Sequence, residues 1–190
     1  MVDPTKFTNF NLSSKRLEEY ILFCIAVAGK QAVRSAALLE KLLQSVPGLP
    51  GSPFDKIKFF GSEEKLREAM KKIGFGCFNL KARGFWWIAN SGLNLKTCTV
   101  GDLEKCPGIG MKTSRFFVMH TRENSHVACL DTHILKFMRD AEFPDVPKQT
   151  PSKKHYLRLE ALYLEYCKER DYHPAHFDLV VWNKYAGYVQ

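Results

Sequence analysis

Leu103-Glu104-Lys105-Cys106-Pro107-Gly108-Ile109-Gly110-Met111-Lys112-Thr113-Ser114 decides how the rest of the chain is read. A short helical turn over 100–104 runs into Pro107-Gly108-Ile109-Gly110, and a second helix is expected over 111–120. Pro107 cannot continue a helix, and the two glycines permit backbone angles or close approaches that a side chain would block. So tight a turn leaves free N–H groups at the start of the second helix, and such a start binds anions, phosphate above all. Taken alone, Pro-Gly-Ile-Gly is equally an ordinary corner between two helices.

Downstream, Leu130-Asp131-Thr132-His133-Ile134-Leu135 reads as a carboxylate at a helix start. Asp is a favoured N-cap, so Asp131 has a structural reading beside any chemical one. His133 reads as a structural hydrogen-bonding residue. Together the hairpin, Lys112 and this segment resemble the helix-hairpin-helix DNA glycosylase superfamily. There a hairpin of type L-P-G-[IV]-G-x-K is followed by a D-x-H-[IV] segment; here Cys106 stands where Leu is usual. Gly74-Phe75-Gly76-Cys77-Phe78-Asn79-Leu80-Lys81-Ala82-Arg83 is similar to the superfamily's G-[FLY]-x-N-x-K-A segment. The end of the chain, Phe177-Asp178-Leu179-Val180-Val181-Trp182 onward, resembles the terminus of type-2 8-oxoguanine DNA glycosylases. It departs at the last residue, Gln190, where Lys is typical.

The resemblance implies an all-α, two-lobed helix-hairpin-helix fold with its active site in the interlobe cleft. Residues 32–130 would form a six-helix lobe holding the hairpin at about 99–120, and 1–31 with 131–190 would form the second lobe. It implies a base-excision-repair DNA glycosylase with AP lyase activity, removing 8-oxoguanine from duplex DNA through a lysine Schiff base. Lys112 would be the nucleophile, which requires a neutral amine, and burial disfavours the charged form. Asp131 would stabilise positive charge on the sugar and assist proton transfer. The flipped base would meet Gln31, Asp178, Trp182 and Gln190, while Gly108, Gly110, Lys112 and Lys81 would face the DNA backbone. The readings beside these are a solvated loop for Gln31, helix core for Trp182 and a solvated helix face for Lys81. Backbone carbonyls of Glu104, Cys106 and Ile109 would hold a monovalent cation, Na+ or K+; no other cofactor is expected. Two rivals stand: an endonuclease III-like pyrimidine glycosylase, and a non-catalytic hairpin module, which needs the glycines but not Lys112 with Asp131.

Composition agrees with a polyanionic partner. Net charge is +8, and 45% hydrophobic residues suffice for a core. The six Cys are widely and irregularly spaced with no C-x-x-C, which argues against a zinc ribbon, and the clustered C-terminal cysteines that hold an iron–sulfur centre in endonuclease III-type relatives are absent. They are expected as reduced, buried thiols of an intracellular, DNA-associated protein. No signal peptide or membrane span is expected, and a monomer is.

Along the chain, helices are expected over 14–29, 32–43, 63–72, 81–89, 131–139 and 175–185 besides the hairpin pair. A further helix should run to about 170, capped by Thr150 with Pro151 at its first position. Residues 46–57, with Pro47, Pro50, Pro53, Gly48 and Gly51, read as a loop. No strand alternation rises above background, so the expectation is all-α with about ten helices.

Overall fold

Capping residues decide where several helices begin. Ser13 caps α1 (Ser14–Val27) through Arg16 N–H, and Ser62 caps α4 (Glu63–Ile73) through Lys65 N–H. Gly74, left-handed at φ +96, ends α4, with Lys71 and Lys72 in its last turn. Between them lie α2 (Ala32–Gln44) and α3 (Pro53–Lys58), followed later by α5 (Phe78–Asn90) and α6 (Val100–Leu103). α7 (Met111–Thr121), α8 (Thr132–Asp140), α9 (Lys153–Glu169) and α10 (Pro174–Ala186) complete the chain. The computed structural model describes residues 8–46 and 51–186, with the backbone only of Ala186. Within them every regular element is helical, as the patterning predicts. No helix is long and apolar enough to cross a membrane.

Three local expectations change. Residues 53–58 are helical: Ser52 and Asp55 form a full capping box, and Pro53 takes the first position, where its missing N–H costs nothing. The prolines that suggest a loop therefore start a helix. α5 begins at Phe78, before the expected 81, because Cys77 adopts a left-handed turn at φ 55 and becomes its N-cap. α9 begins at Lys153, after Pro151; the first helical bond is Tyr156 N–H to the Ser152 carbonyl, 2.8 Å.

Two buried clusters organise the interior. The first gathers α1 with side chains of α2 to α7, up to Phe117 and Val118. α1 shows more than the single apolar face its spacing predicts: Tyr20 through Ala26 are all buried, because α2, α3, α5 and α7 surround it. The second cluster runs from Met119 through 128–138 to Tyr156, Leu159, Tyr163, Cys167 and Val181. The buried side chains of α1 lie in the first cluster. Phe116 and Val127 touch both clusters, and Phe116 also lines a cleft.

Candidate active site

The hairpin is assembled from short-range contacts. Thr99 and Asp102 form a capping box on α6, and a hydrogen bond from Lys105, then those from Thr99, hold the Asp102 carboxyl well below the usual carboxylate range. The turn closes with Ile109 N–H on the Cys106 carbonyl, 3.0 Å, while Gly108 takes φ +85. The turn lies against α5. A Cβ at Gly84 would come 2.5 Å from the Pro107 carbonyl oxygen, and the Cys106 thiol donates to the Gly84 carbonyl at 3.4 Å. Gly110 then starts α7 with no side-chain cap and no atom within 4 Å of where a Cβ would stand. The start of α7 is therefore open at Gly110, and a helix start is the kind of place that binds an anion.

α7 carries Lys112 to the cleft, and the start of α8 carries Asp131. Asp131 Oδ1 accepts the N–H groups of His133, 2.8 Å, and Ile134, 2.9 Å. Its Oδ2 lies 4.0 Å from Lys112 Nζ. The two readings of Asp131 therefore coexist, one oxygen capping the helix and the other facing the amine. The Lys112 side chain is half exposed, so the protein alone does not provide the burial expected of it.

The cleft, about 1110 Å³, brings together Gln31, Lys112, Asp131, His133, Asp178 and Trp182. Gln31 is exposed at the N-terminus of α2, its side chain making no cap. Trp182 is partly buried, and the His133 ring meets it edge-on at 6.2 Å. Asp178 is buried in the floor, where its Oδ2 pairs with His120 Nε2 at 3.2 Å. His120 Nδ1 in turn pairs with Thr8 Oγ1 at 2.8 Å. Burial pushes the Asp178 carboxyl up, opposed by the His120 hydrogen bond. Cys24 and Cys129 line the same floor, and burial raises both thiols, so they stay protonated. All six cysteines are free; Cys77 is exposed, unlike the other five.

Lys81 is a correction. It is expected at the DNA backbone but is only 4% exposed, and its Nζ donates to the Ala26 carbonyl in the last turn of α1. Burial lowers its pKa. It closes the C-terminus of α1 rather than reaching a phosphate. Gln190 lies outside the described residues. At the hairpin, the Cys106 carbonyl already accepts one N–H, leaving its second lone pair. Among the described residues no group of three His, Cys, Asp or Glu side chains is placed to hold a metal ion.

Sequence reasoning missed the polar residues behind the site. Arg115, 5% exposed, reaches Glu104 Oε1 with Nη1 at 2.7 Å and Glu160 Oε1 with Nε at 2.9 Å. The signal available was a charge on an apolar face: Glu160 falls at helical spacing with Tyr156, Tyr163 and Cys167, all buried.

Comparison with known proteins follows the same direction. The family described as 8-oxoguanine DNA glycosylase matches residues 4–172. A protein of a Thermotoga species named 8-oxoguanine DNA glycosylase/AP lyase is 29% identical over 137 residues, 66% of this chain and 64% of its own length. One of the same name from Methanocaldococcus jannaschii is 23% identical over 194 residues, covering 97% of this chain and 87% of its own. The crystal structure of the M. jannaschii 8-oxoguanine glycosylase/lyase with a 15mer DNA containing 8-oxoguanine has a TM-score of 0.71 at 21% identity, covering 96% and 86%. That of the 8-oxoguanine DNA glycosylase of Thermotoga maritima has 0.67 at 22%, covering 94% and 84%.

Proposed function

The chain belongs to the 8-oxoguanine DNA glycosylase family, and from that premise we propose that it excises 8-oxoguanine from duplex DNA and then cleaves the strand as an AP lyase. The observation that carries this reading is Lys112 Nζ facing Asp131 Oδ2 at 4.0 Å within one cleft. A non-catalytic hairpin needs neither residue.

Lys112, once neutral, attacks C1′ of the flipped nucleotide; the C–N bond to the base breaks and its electron pair leaves with the base. Loss of an amine proton and opening of the sugar ring give the Schiff base. Removal of a C2′ proton then expels the 3′ phosphate by β-elimination, and water releases Lys112. Asp131 Oδ2 accepts the amine proton and offsets the positive charge that grows on the sugar. DNA lying over the cleft supplies the desolvation that the half-exposed Lys112 lacks in the protein alone.

Trp182 stacks on the flipped base, worth roughly 1–3 kcal/mol, with Asp178 as pocket wall and Gln31 at the rim. The hairpin, open at Gly110 while the Leu80 side chain lies against Gly108, receives a backbone phosphate on the N-terminus of α7. Carbonyls of Glu104, Cys106 and Ile109 are the donor type that Na+ or K+ takes, and would hold such an ion beside that phosphate.

The test is borohydride trapping on 8-oxoguanine, abasic-site and thymine-glycol duplexes. The expected result is a covalent adduct with 8-oxoguanine that Lys112→Gln abolishes while duplex binding persists. An adduct on the abasic duplex alone keeps the nucleophile and moves the substrate elsewhere. An adduct on none of the three leaves a binding module.

A further inference from the structure

We propose that Arg115, clasped between Glu104 and Glu160, is the positioning residue that sets the spacing of Lys112 and Asp131; this rests on Lys112 acting as the nucleophile. Arg115 lies one turn beyond Lys112 on the same helix. Its guanidinium meets Glu104 at the end of the first hairpin helix and Glu160 on α9. Its Nη1 also reaches the Met111 carbonyl at 3.4 Å, and its Cζ lies 5.2 Å from the centre of the Tyr156 ring.

On the far side, the same two α9 residues hold the segment that ends at Asp131. Residues 127–130 belong to no helix, so no ladder of their own fixes them. Glu160 Oε1, the oxygen that meets Arg115, also accepts Ala128 N–H at 2.8 Å. Tyr156 Oη donates to the Ala128 carbonyl at 2.9 Å and accepts Leu130 N–H at 2.9 Å. One residue later the chain reaches Asp131, whose Oδ1 is committed to the start of α8. One buried oxygen thus ties the helix of Lys112 to the segment of Asp131. An ion network of this kind contributes little net stability compared with apolar packing, but it admits one arrangement. The 4.0 Å gap between Lys112 and Asp131 has no direct hydrogen bond to maintain it. Its length is therefore set from behind, through the clasp.

The measurement is the single-turnover rate of borohydride-trapped adduct on an abasic duplex at saturating protein, with the Kd for a duplex carrying an unreactive tetrahydrofuran site. Arg115→Met keeps the volume and removes the clasp; Glu160→Gln is the milder variant and carries the test if Arg115→Met does not fold. Met70→Ala, in the other core cluster, controls for lost stability alone. The expected result is an adduct rate lowered about 10²-fold in Arg115→Met with Kd held within about threefold, the size of effect a 1 Å misplacement produces. Met70→Ala should leave the rate unchanged. Adding Asp131→Asn to Arg115→Met should cost far less than Asp131→Asn alone, because the pair is already misaligned. An unchanged rate, a loss confined to Kd, or full additivity with Asp131→Asn overturns the proposal while the wild-type adduct keeps the enzyme reading intact. No wild-type adduct overturns that reading and this one with it.

Discussion

Both walls of the cleft present a carboxylate, and they hold it in opposite ways. Asp131, on the hairpin side, stands at a helix start with two backbone N–H groups on one oxygen and a lysine beside the other. Asp178, on the α10 side, is sunk in the floor against the ring of His120, and burial raises its pKa. A carboxylate served by a helix N-terminus remains available to whatever enters the cleft. One served by an imidazole inside the core is a fixture of the wall, held by groups from distant parts of the chain. On the proposed function, charge chemistry would fall to the first and shape to the second.

The largest expected effect would test that assignment directly. Asp131→Asn should lower the trapped-adduct rate about 10²–10³-fold, comparable with removing one preorganised electrostatic partner of a transition state. Thermal unfolding should barely change, because Asn caps a helix as well as Asp does; Asp131→Ala should lose about 1 kcal/mol more of stability. If Asp131→Asn loses stability but not rate, Asp131 is a cap only and the contrast fails.

Next comes Gly84→Ala, which places a Cβ against the Pro107 carbonyl. Denaturant unfolding should show a loss of about 1–3 kcal/mol, the range for overpacking, with weaker duplex binding as the turn is pushed out. The α10 wall should be indifferent to it.

The third effect concerns pH. Burial raises the Asp178 pKa, so the folded protein keeps that proton to higher pH than the unfolded chain does. The stabilising contribution is present below the ordinary carboxylate value, about 4, and is lost as pH rises through the raised one. Urea titrations from acid to neutral pH should therefore show wild-type stability falling relative to Asp178→Asn. A difference that grows the other way would mean that His120 holds Asp178 as a full ion pair.

The smallest effect is expected at Lys81. Lys81→Met should leave the salt dependence of duplex affinity unchanged, since this amine meets Ala26 rather than phosphate. Stability should fall by about 1 kcal/mol for the lost hydrogen bond. A shallower salt slope would return Lys81 to the DNA surface.

These differences also explain what the chain reveals before it is folded. The hairpin is legible because its parts are neighbours: Thr99 with Asp102, Pro107 beside Gly108, Gly110 before α7. Asp131 is legible as a helix start for the same reason. His120 with Asp178, and Arg115 with Glu160, are not: each residue is visible as a polar group in an apolar run, but its partner is chosen by the packing of α7 against α9 and α10. Lys81 is misread because a lysine early in a helix usually faces solvent, whereas here the end of α1 presents a carbonyl that draws it inward. Residues 53–58 are misread because proline ends helices more visibly than it starts them, although Ser52 and Asp55 carry the opposite signal.

Trp182 gives the cleft a consequence of another kind. The chain has three tryptophans, and the other two, Trp86 and Trp87, pack against the first core cluster. Replacing that pair with phenylalanine would leave a single indole, in the wall where a base is proposed to stack. Its emission would then report occupancy of the pocket without any label, rising and falling on the time scale of nucleotide flipping rather than of strand cleavage.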